Sequence, residues 1–165
     1  NHAGVVLVVG LLTLVLLTAL GISMSTTSTI ESGIAGNEKT HKEALYAAEL
    51  GLAVGENTVS GFQTRVDLRE ETVPGHYAQD TEPPWQALVW NLTDSREVST
   101  LPTGLKYVAA PPRYTIEERR FQADSLVIGI GMTTGTYLFN VRSRGTGGNQ
   151  EAHVFLEHIH ARRFN

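Results

Sequence analysis

Few side chains in this 165-residue sequence have the types and spacing that metal binding requires. His158 and His160 lie two residues apart in a predicted strand, so both rings are on one face and two ring nitrogens are available to a metal. No third ligand is visible in the sequence, and histidines near a strand end are usually surface residues. We therefore expect no metal site and no cofactor.

Two further patterns resemble reactive sites. Glu117 and Glu118 are paired carboxylates, but neighbours on a strand face opposite sides, so they do not form an acid–base couple. Gly129-x-Gly131, followed by Gly135, lacks the Lys-Ser/Thr pair and the helix of a phosphate loop, and predicts a hairpin turn. No set of nucleophile, base and orienting residue can be proposed, and we expect that the protein is not an enzyme.

Composition excludes other classes of function. The formal net charge is -4 and the sequence pI is about 5.8, so the basic surface that nucleic-acid binding needs is not indicated. The chain contains no cysteine, which rules out disulfides, thiolate chemistry and cysteine-ligated metals. The part of the chain after the apolar start is long enough for one modest globular domain.

The chain begins with an apolar stretch, AGVVLVVGLLTLVLLTALGI, from Ala3 to Ile22. Twenty helical residues span about 30 Å, the thickness of the hydrocarbon core of a bilayer. Thirteen of the twenty are Val, Leu or Ile. Exposing all of them to water would cost roughly 20–40 kcal/mol, more than the ~5–15 kcal/mol by which a domain is stable. The stretch must therefore lie in lipid or inside an assembly.

Three interpretations of this stretch are open to test. A signal peptide would have a basic start, a shorter apolar core and a small-residue cleavage site, none of which is present. A plain transmembrane anchor fits the length and composition. A helix that waits in the membrane and then packs into the core of a filament fits them equally.

The helix is predicted to continue beyond the apolar stretch, over about residues 3–59, because the first proline is Pro74. Apolar or neutral residues recur close to the helical period. They are Ile30, Ile34, His41, Leu45, Ala48, Leu52 and Val59. Another face is charged and carries Glu31, Glu38, Lys42, Glu49 and Glu56. Glycine is expected to end the helix near Ser60-Gly61.

The remaining sequence predicts a small antiparallel sheet. Candidate strands between proline- and glycine-rich loops are residues 86–92, 105–110, 113–120, 136–144 and 151–160. The last two flank a glycine-rich turn and form the clearest hairpin. The expected fold is α+β and lollipop-shaped, with a hydrophobic half-helix at 1–30, an amphipathic half-helix at 31–60 that packs on the sheet, and a β domain at 61–165.

Four segments in order resemble the PilX-type minor pilins of the type IV pilus system. The first is E-x-x-x-A-G-N, from Glu31 to Asn37, and the second is A-x-x-A-A-E-x-G-L, from Ala44 to Leu52. The third is PRYTIEE, which ends at Glu118. The fourth is YLFNVRSRGTGGNQEAHVFLEHIHARR, of which RGTGG is the most specific piece.

This resemblance implies a subunit that a prepilin peptidase cleaves and that is N-methylated at Asn1. It would wait in the bacterial inner membrane and then enter a helical filament at the cell surface. The implied partners are copies of itself, other pilins and the pilus assembly machinery. Pilins commonly carry glutamate at the fifth position, where this chain has Val5, and residues 3–30 contain no carboxylate at all. We therefore expect Asn1 to be accessible to water or contacted by hydroxyls and carbonyls, with Thr13, Thr18 and Ser23 as candidate oxygens.

The leading hypothesis is a structural subunit of a type IV pilus-like filament, assembled through its N-terminal helix. The alternatives are a low-copy minor pilin, a tip or adhesion module, and a membrane-anchored binding domain. The residues expected at the assembly interface are Val5, Val8, Val9, Leu12, Val15, Leu16, Ala19 and Leu20. The candidates for close helix–helix packing are Gly4, Gly10, Ala19 and Gly21.

Overall fold

The computed structural model describes residues 2–62, 73–79, 90, 93–105, 107–124 and 135–164. One helix, α1, runs from His2 to Gly61, which confirms the predicted long N-terminal helix and its end. Contacts between residues divide the chain into two units, Asn1–Lys39 and Thr40–Asn165.

The polar stretch that follows the apolar residues is helical throughout. Serine and threonine favour helices weakly because their hydroxyls compete for backbone groups. Here Ser23, Thr26, Thr27 and Thr29 each donate to the carbonyl oxygen four residues earlier, at 3.0 Å. Each of these hydroxyls therefore has a hydrogen-bond acceptor within the helix, and the helix is not interrupted.

Within the residues that the structure describes, the sheet has five strands, all in the unit Thr40–Asn165. They are β1 (His76–Tyr77), β2 (Arg96–Glu97), β3 (Arg113–Ala123), β4 (Gly135–Thr146) and β5 (His153–Phe164). The order is β1-β3-β4-β5, and β2 also pairs with β3. Every pairing is antiparallel except that of β1 with β3. The predicted α+β fold is confirmed, with a short parallel pairing that the sequence did not indicate.

The three long strands correspond to the predicted strands 113–120, 136–144 and 151–160. The predicted hairpin is confirmed as β4 and β5, whose register runs from Gly135 opposite Phe164 to Thr146 opposite His153. The β3–β4 register shifts between Glu118 and Arg120, where one residue is extra. This bulge re-aims the second half of β3.

The predicted strand at 105–110 is wrong. Thr103–Leu105 is a short 3-10 helix, and the described residues after it form turns and bends. Leu105 is buried as the last residue of the 3-10 helix, whereas Tyr107 is 85% exposed. Pro102, Pro111 and Pro112 flank the segment and have no backbone N–H, so they cannot extend a hydrogen-bonded ladder beyond it. The predicted strand at 86–92 lies outside the described residues except for Trp90, which is not in a strand.

The core of the unit Thr40–Asn165 lies between α1 and one face of the sheet. Its buried residues are Val59, Val98, Tyr114, Ile116, Tyr137, Phe139 and Val141. On β4 these alternate with outward-facing positions, as predicted from Tyr137, Phe139 and Val141. Aromatic side chains cluster around Tyr137, whose ring centroid is 4.6 Å from that of Phe121.

The helix face that meets the sheet is made of small residues. Its buried positions are Ala44, Ala47, Ala48, Gly51, Gly55 and Val59. The predicted stripe through His41, Leu45 and Leu52 is therefore displaced: His41 is exposed, and Leu45 and Leu52 are only half-buried at the margins. Bulky side chains from the strands fill the space that the small helical residues leave.

The reason for small residues is a close approach between backbones. A Cβ on Gly145 would lie 2.9 Å from the Ala48 Cα and closer still to two other backbone atoms of α1. A Cβ on Gly51 would overlap the Ser143 side chain, and one on Gly55 would overlap Val141. The Ser143 hydroxyl uses this proximity to donate a buried 2.7 Å hydrogen bond to the Ala48 carbonyl.

This contact makes a first prediction. Gly145→Ala should destabilise the unit Thr40–Asn165 by about 1–3 kcal/mol or more, because backbone atoms cannot move aside as a flexible side chain can. Urea unfolding of the full chain in detergent micelles measures the change. Gly104→Ala is the matched control, since its Cβ meets nothing within 4 Å. Equal midpoints for the two variants would show that the close approach is not what limits residue size at position 145.

Candidate assembly interface

The eight residues predicted at the assembly interface share one face of α1. Their spacings of three, four, seven and eleven residues keep them on one side of a helix. All eight are exposed in the structure, and the larger side chains among them are 55–63% exposed. They are Val5, Val8, Val9, Leu12, Val15, Leu16, Ala19 and Leu20.

The opposite face of the same segment is also apolar. Val6, Leu7 and Leu17 are about 70% exposed, more than the residues of the predicted face. Among the described residues, α1 is the one helix long and apolar enough to cross a membrane, and its most apolar window is not buried by the chain. The segment therefore presents an apolar surface around its full circumference, which fits lipid or a ring of neighbouring helices.

Glycines interrupt this apolar surface without a reason inside the chain. A Cβ placed on Gly4, Gly10 or Gly21 meets nothing within 4 Å. Gly10 and Gly21 lie on one face, since eleven residues are close to three helical turns. Each glycine weakens a helix by about 1 kcal/mol relative to alanine. A packing role against a neighbouring helix would account for them.

The hydroxyls in the apolar segment are engaged within the helix. Thr13 donates to the Gly10 carbonyl at 2.8 Å, and Thr18 donates to the Leu14 carbonyl at 2.7 Å. Each hydroxyl proton is used internally, but the oxygen lone pairs stay available to accept from another chain. The residues proposed as oxygen ligands for Asn1 thus keep that capacity, while Asn1 itself lies outside the described residues.

The histidines that the sequence analysis considered for metal binding face α1. His158 Nδ1 contacts the Glu56 carboxylate, and His160 Nε2 lies 3.3 Å from the Ser60 hydroxyl. Near them, Arg162 donates to the Phe62 carbonyl at 3.0 Å. The described residues include no group of three His, Asp or Glu placed to hold a metal ion. These side chains tie the end of α1 to β5.

Of the two remaining candidates, the structure describes only the paired glutamates. Glu117 pairs across the sheet with Asn140, whereas Glu118 adjoins the bulge of β3. Gly129 and Gly131 lie outside the described residues.

Two family models match the chain. The PilX N-terminal model matches residues 3–53, and the model of the type IV pilus assembly protein PilX C-terminal region matches residues 33–162. The chain belongs to the PilX family of type IV pilus assembly proteins. No curated protein and no solved structure matched in the corresponding comparisons.

Membership of the PilX family supports the coarse assignments made from the sequence. The chain is related to type IV pilus assembly, in a family that is structural and whose members work with other pilins and the assembly machinery. The family and the apolar half of α1 together indicate membrane anchoring and association with the pilus.

The structure also explains which residues carried the family resemblance. Ala44, Ala48 and Gly51 belong to the helix face that meets the sheet, and Gly145 and Gly147 lie directly against that face. A Cβ on Gly147 would overlap the Thr40 carbonyl. Two motifs almost one hundred residues apart are therefore the two sides of one contact.

The apolar segment makes a second prediction, on membrane insertion. Its thirteen Val, Leu and Ile residues favour insertion by about 4–8 kcal/mol, and one central arginine opposes insertion by about 3 kcal/mol. The Leu12→Arg variant should therefore stay in the membrane fraction. The double variant Leu12→Arg with Leu16→Arg should no longer be found in the membrane fraction.

Fractionation of cells that express each variant measures this, with Asn57→Arg, on the exposed side of α1 beyond the apolar segment, as control. Retention of the double variant in the membrane would contradict a role for this segment as the anchor.

Proposed function

We propose that this chain is a structural subunit of a type IV pilus-like filament, in which residues 1–30 of α1 lie in the filament core. Before assembly, the same residues would hold the chain in the inner membrane. One observation carries the proposal. In a chain of the PilX family, the apolar half of α1 is exposed on every side.

The transfer from lipid to filament needs a source of free energy other than hydrophobic burial. Lipid tails are as apolar as leucine, so helices that associate must gain from close packing and from hydrogen bonds. Gly10 and Gly21, with free space where a side chain would be, allow a neighbouring helix to approach. The predicted face from Val5 to Leu20 would supply the larger contacting surface.

Charge does not set the register of this proposed assembly in the apolar core. Residues 3–30 contain no carboxylate, and the first acidic residue after them is Glu31. Packing of apolar side chains would fix the register between neighbouring helices in the core. The charged positions from Glu31 to Glu56 would contribute to the register in the second half of the helix. A buried ion pair would be costly there unless its geometry were close to ideal.

A second candidate is a low-copy pilin that the filament contains in few places. The match to a family named for pilus assembly favours it. The two candidates share the same membrane anchor and the same core helix, and they differ in stoichiometry. Mass spectrometry of purified filaments separates them, since a main subunit would dominate the peptide signal.

A third prediction tests the core packing directly. Gly10→Leu and Gly21→Leu should leave the chain folded and inserted, because the new side chains meet nothing within the chain. Both should nevertheless reduce the amount of this chain in sheared filaments severalfold. Gly33→Leu is the matched control, since Gly33 also has open space but lies beyond residue 30. Normal incorporation of both glycine variants would contradict close packing at these positions.

A further inference from the structure

Strand β5 lies at one end of the strand order, and β4 is the one strand that pairs with it among the residues that the structure describes. The two strands differ in burial: no residue of β4 is exposed, whereas no residue of β5 is buried. At 12 residues, β5 is also longer than most strands, which have about 3–10. A long strand at the edge of a sheet is a template for pairing with another chain.

The side chains of β5 alternate between the two faces of the sheet. His158 and His160 contact Glu56 and Ser60 of α1, so the even-numbered residues face the helix. The odd-numbered residues face away from it. Four of them in succession are exposed, namely Glu157, Ile159, Ala161 and Arg163. Ile159 is a large apolar side chain in the middle of the strand, yet it is 48% exposed.

The sequence of β5 is complementary to a second copy of itself in one antiparallel register. When His160 lies opposite its own copy, residues 156–164 of the two strands are paired. Glu157 of each copy then lies opposite Arg163 of the other copy, and this ion pair occurs twice. Glu157 is the only acidic residue in the sequence of β5. Moving the centre to Ile159 or to Ala161 places Glu157 opposite Ala161 or beyond the end of β5, without a cation.

The charged side chains are accessible for this contact. The Glu157 side chain is 49% exposed, and the Arg163 side chain is 60% exposed. Within the chain, Glu157 accepts hydrogen bonds from Asn140 at 2.6 Å and from Arg142 at 3.3 Å, and Arg163 donates to Asp124 at 2.7 Å. A carboxylate has about four acceptor sites and a guanidinium has five N–H donors. Both groups therefore keep capacity for a further partner.

The other side chains also fit the register centred on His160. On the face away from α1, each Ile159 lies opposite Ala161 of the other copy, so the exposed isoleucine meets an apolar neighbour. On the face toward α1, Leu156 lies opposite Phe164. His158 lies opposite an arginine there, and the Glu56 carboxylate that contacts His158 supplies a negative charge beside them. No like-charged pair is left without an anion in this register.

We propose that β5 is an interaction surface and that its partner is β5 of a second copy of this chain, in the antiparallel register centred on His160. A two-fold pairing of this kind makes each contact twice and closes on itself, so it joins two chains. Backbone hydrogen bonds between the two strands supply the attraction, and the two Glu157–Arg163 contacts set the register. The proposal goes beyond the filament role and does not rest on it, since all of its residues lie outside the apolar segment.

Cross-linking of the full chain in detergent micelles tests the contact, because the chain has no cysteine of its own. Ala161→Cys introduces a thiol at an exposed position. In the proposed register the two copies of residue 161 are diagonal neighbours, about 7–8 Å apart, so a short bismaleimide should give covalent dimers.

Ala109→Cys is the matched control for this experiment. Ala109 is also exposed, but its backbone N–H donates to Gly147 in the turn between β4 and β5, far from the centre of β5. It should give few dimers. Equal dimer yields from the two cysteine variants, or no dimers from Ala161→Cys because β5 takes a strand from a different protein, would overturn the proposal.

Charge reversal in the Ala161→Cys chain tests the register. Glu157→Lys places like charges opposite each other twice, and Arg163→Glu does the same. Each should lower the rate of dimer cross-linking about tenfold, and the double variant, which exchanges the two charges, should restore it. Arg119→Glu, at an exposed position of β3, makes the same change in net charge as Arg163→Glu and should leave the rate unchanged.

Recovery in the double variant separates pairing between copies from damage to the fold. Glu157 and Arg163 are six residues apart on one strand, about 20 Å, so they cannot compensate each other within one chain. Unchanged rates in both single variants, or a double variant no better than the single ones, would refute this register. The comparison of Ala161→Cys with Ala109→Cys involves no change of charge and tests the contact even if the charge variants fail to fold.

Discussion

The apolar half of α1 is exposed on all sides, and this constraint governs what the molecule can be. Thirteen Val, Leu and Ile side chains between residues 3 and 22 would cost roughly 20–40 kcal/mol if water surrounded them. No ordinary domain has that much stability to offset the cost. The segment therefore needs an apolar environment. Lipid and neighbouring helices are the two environments that keep its side chains away from water.

One face of the second half of the same helix is buried within the chain, because it packs against the sheet. There the residues against the sheet are alanine and glycine, and the strands supply the bulk through Tyr114, Phe139 and Val141. Small residues let two backbones approach, so a serine hydroxyl on β4 can reach a helix carbonyl. Glycines in the apolar half offer the same opportunity to a neighbour, but the chain itself places nothing against them.

Much of this architecture could be predicted from residue patterns. The absence of proline before Pro74 and a helical period predicted α1, and alternation around a glycine-rich turn predicted β4 and β5. Those signals are local and strong. The register of the helix face was harder, because the period was traced through large apolar residues whereas the contact uses Ala44, Ala48 and Gly51.

What could not be predicted depends on contacts between distant residues. The two-residue strands β1 and β2 have no periodicity of their own and exist because β3 offers them a partner. The hydrogen bonds from Arg113 to Ser95 and Glu97 join separate segments, so no spacing in the sequence reveals them. The segment 105–110 looked like a strand because it is apolar, but Leu105 ends a 3-10 helix and Tyr107 is exposed.

A density map of assembled filaments that contain this chain tests the central claim most directly. The account predicts that residues 3–26 lie near the filament axis, with Val8, Leu12 and Leu16 against helices of neighbouring subunits and the sheet toward the outside. A map with these side chains facing solvent, or with the sheet on the axis, would contradict it.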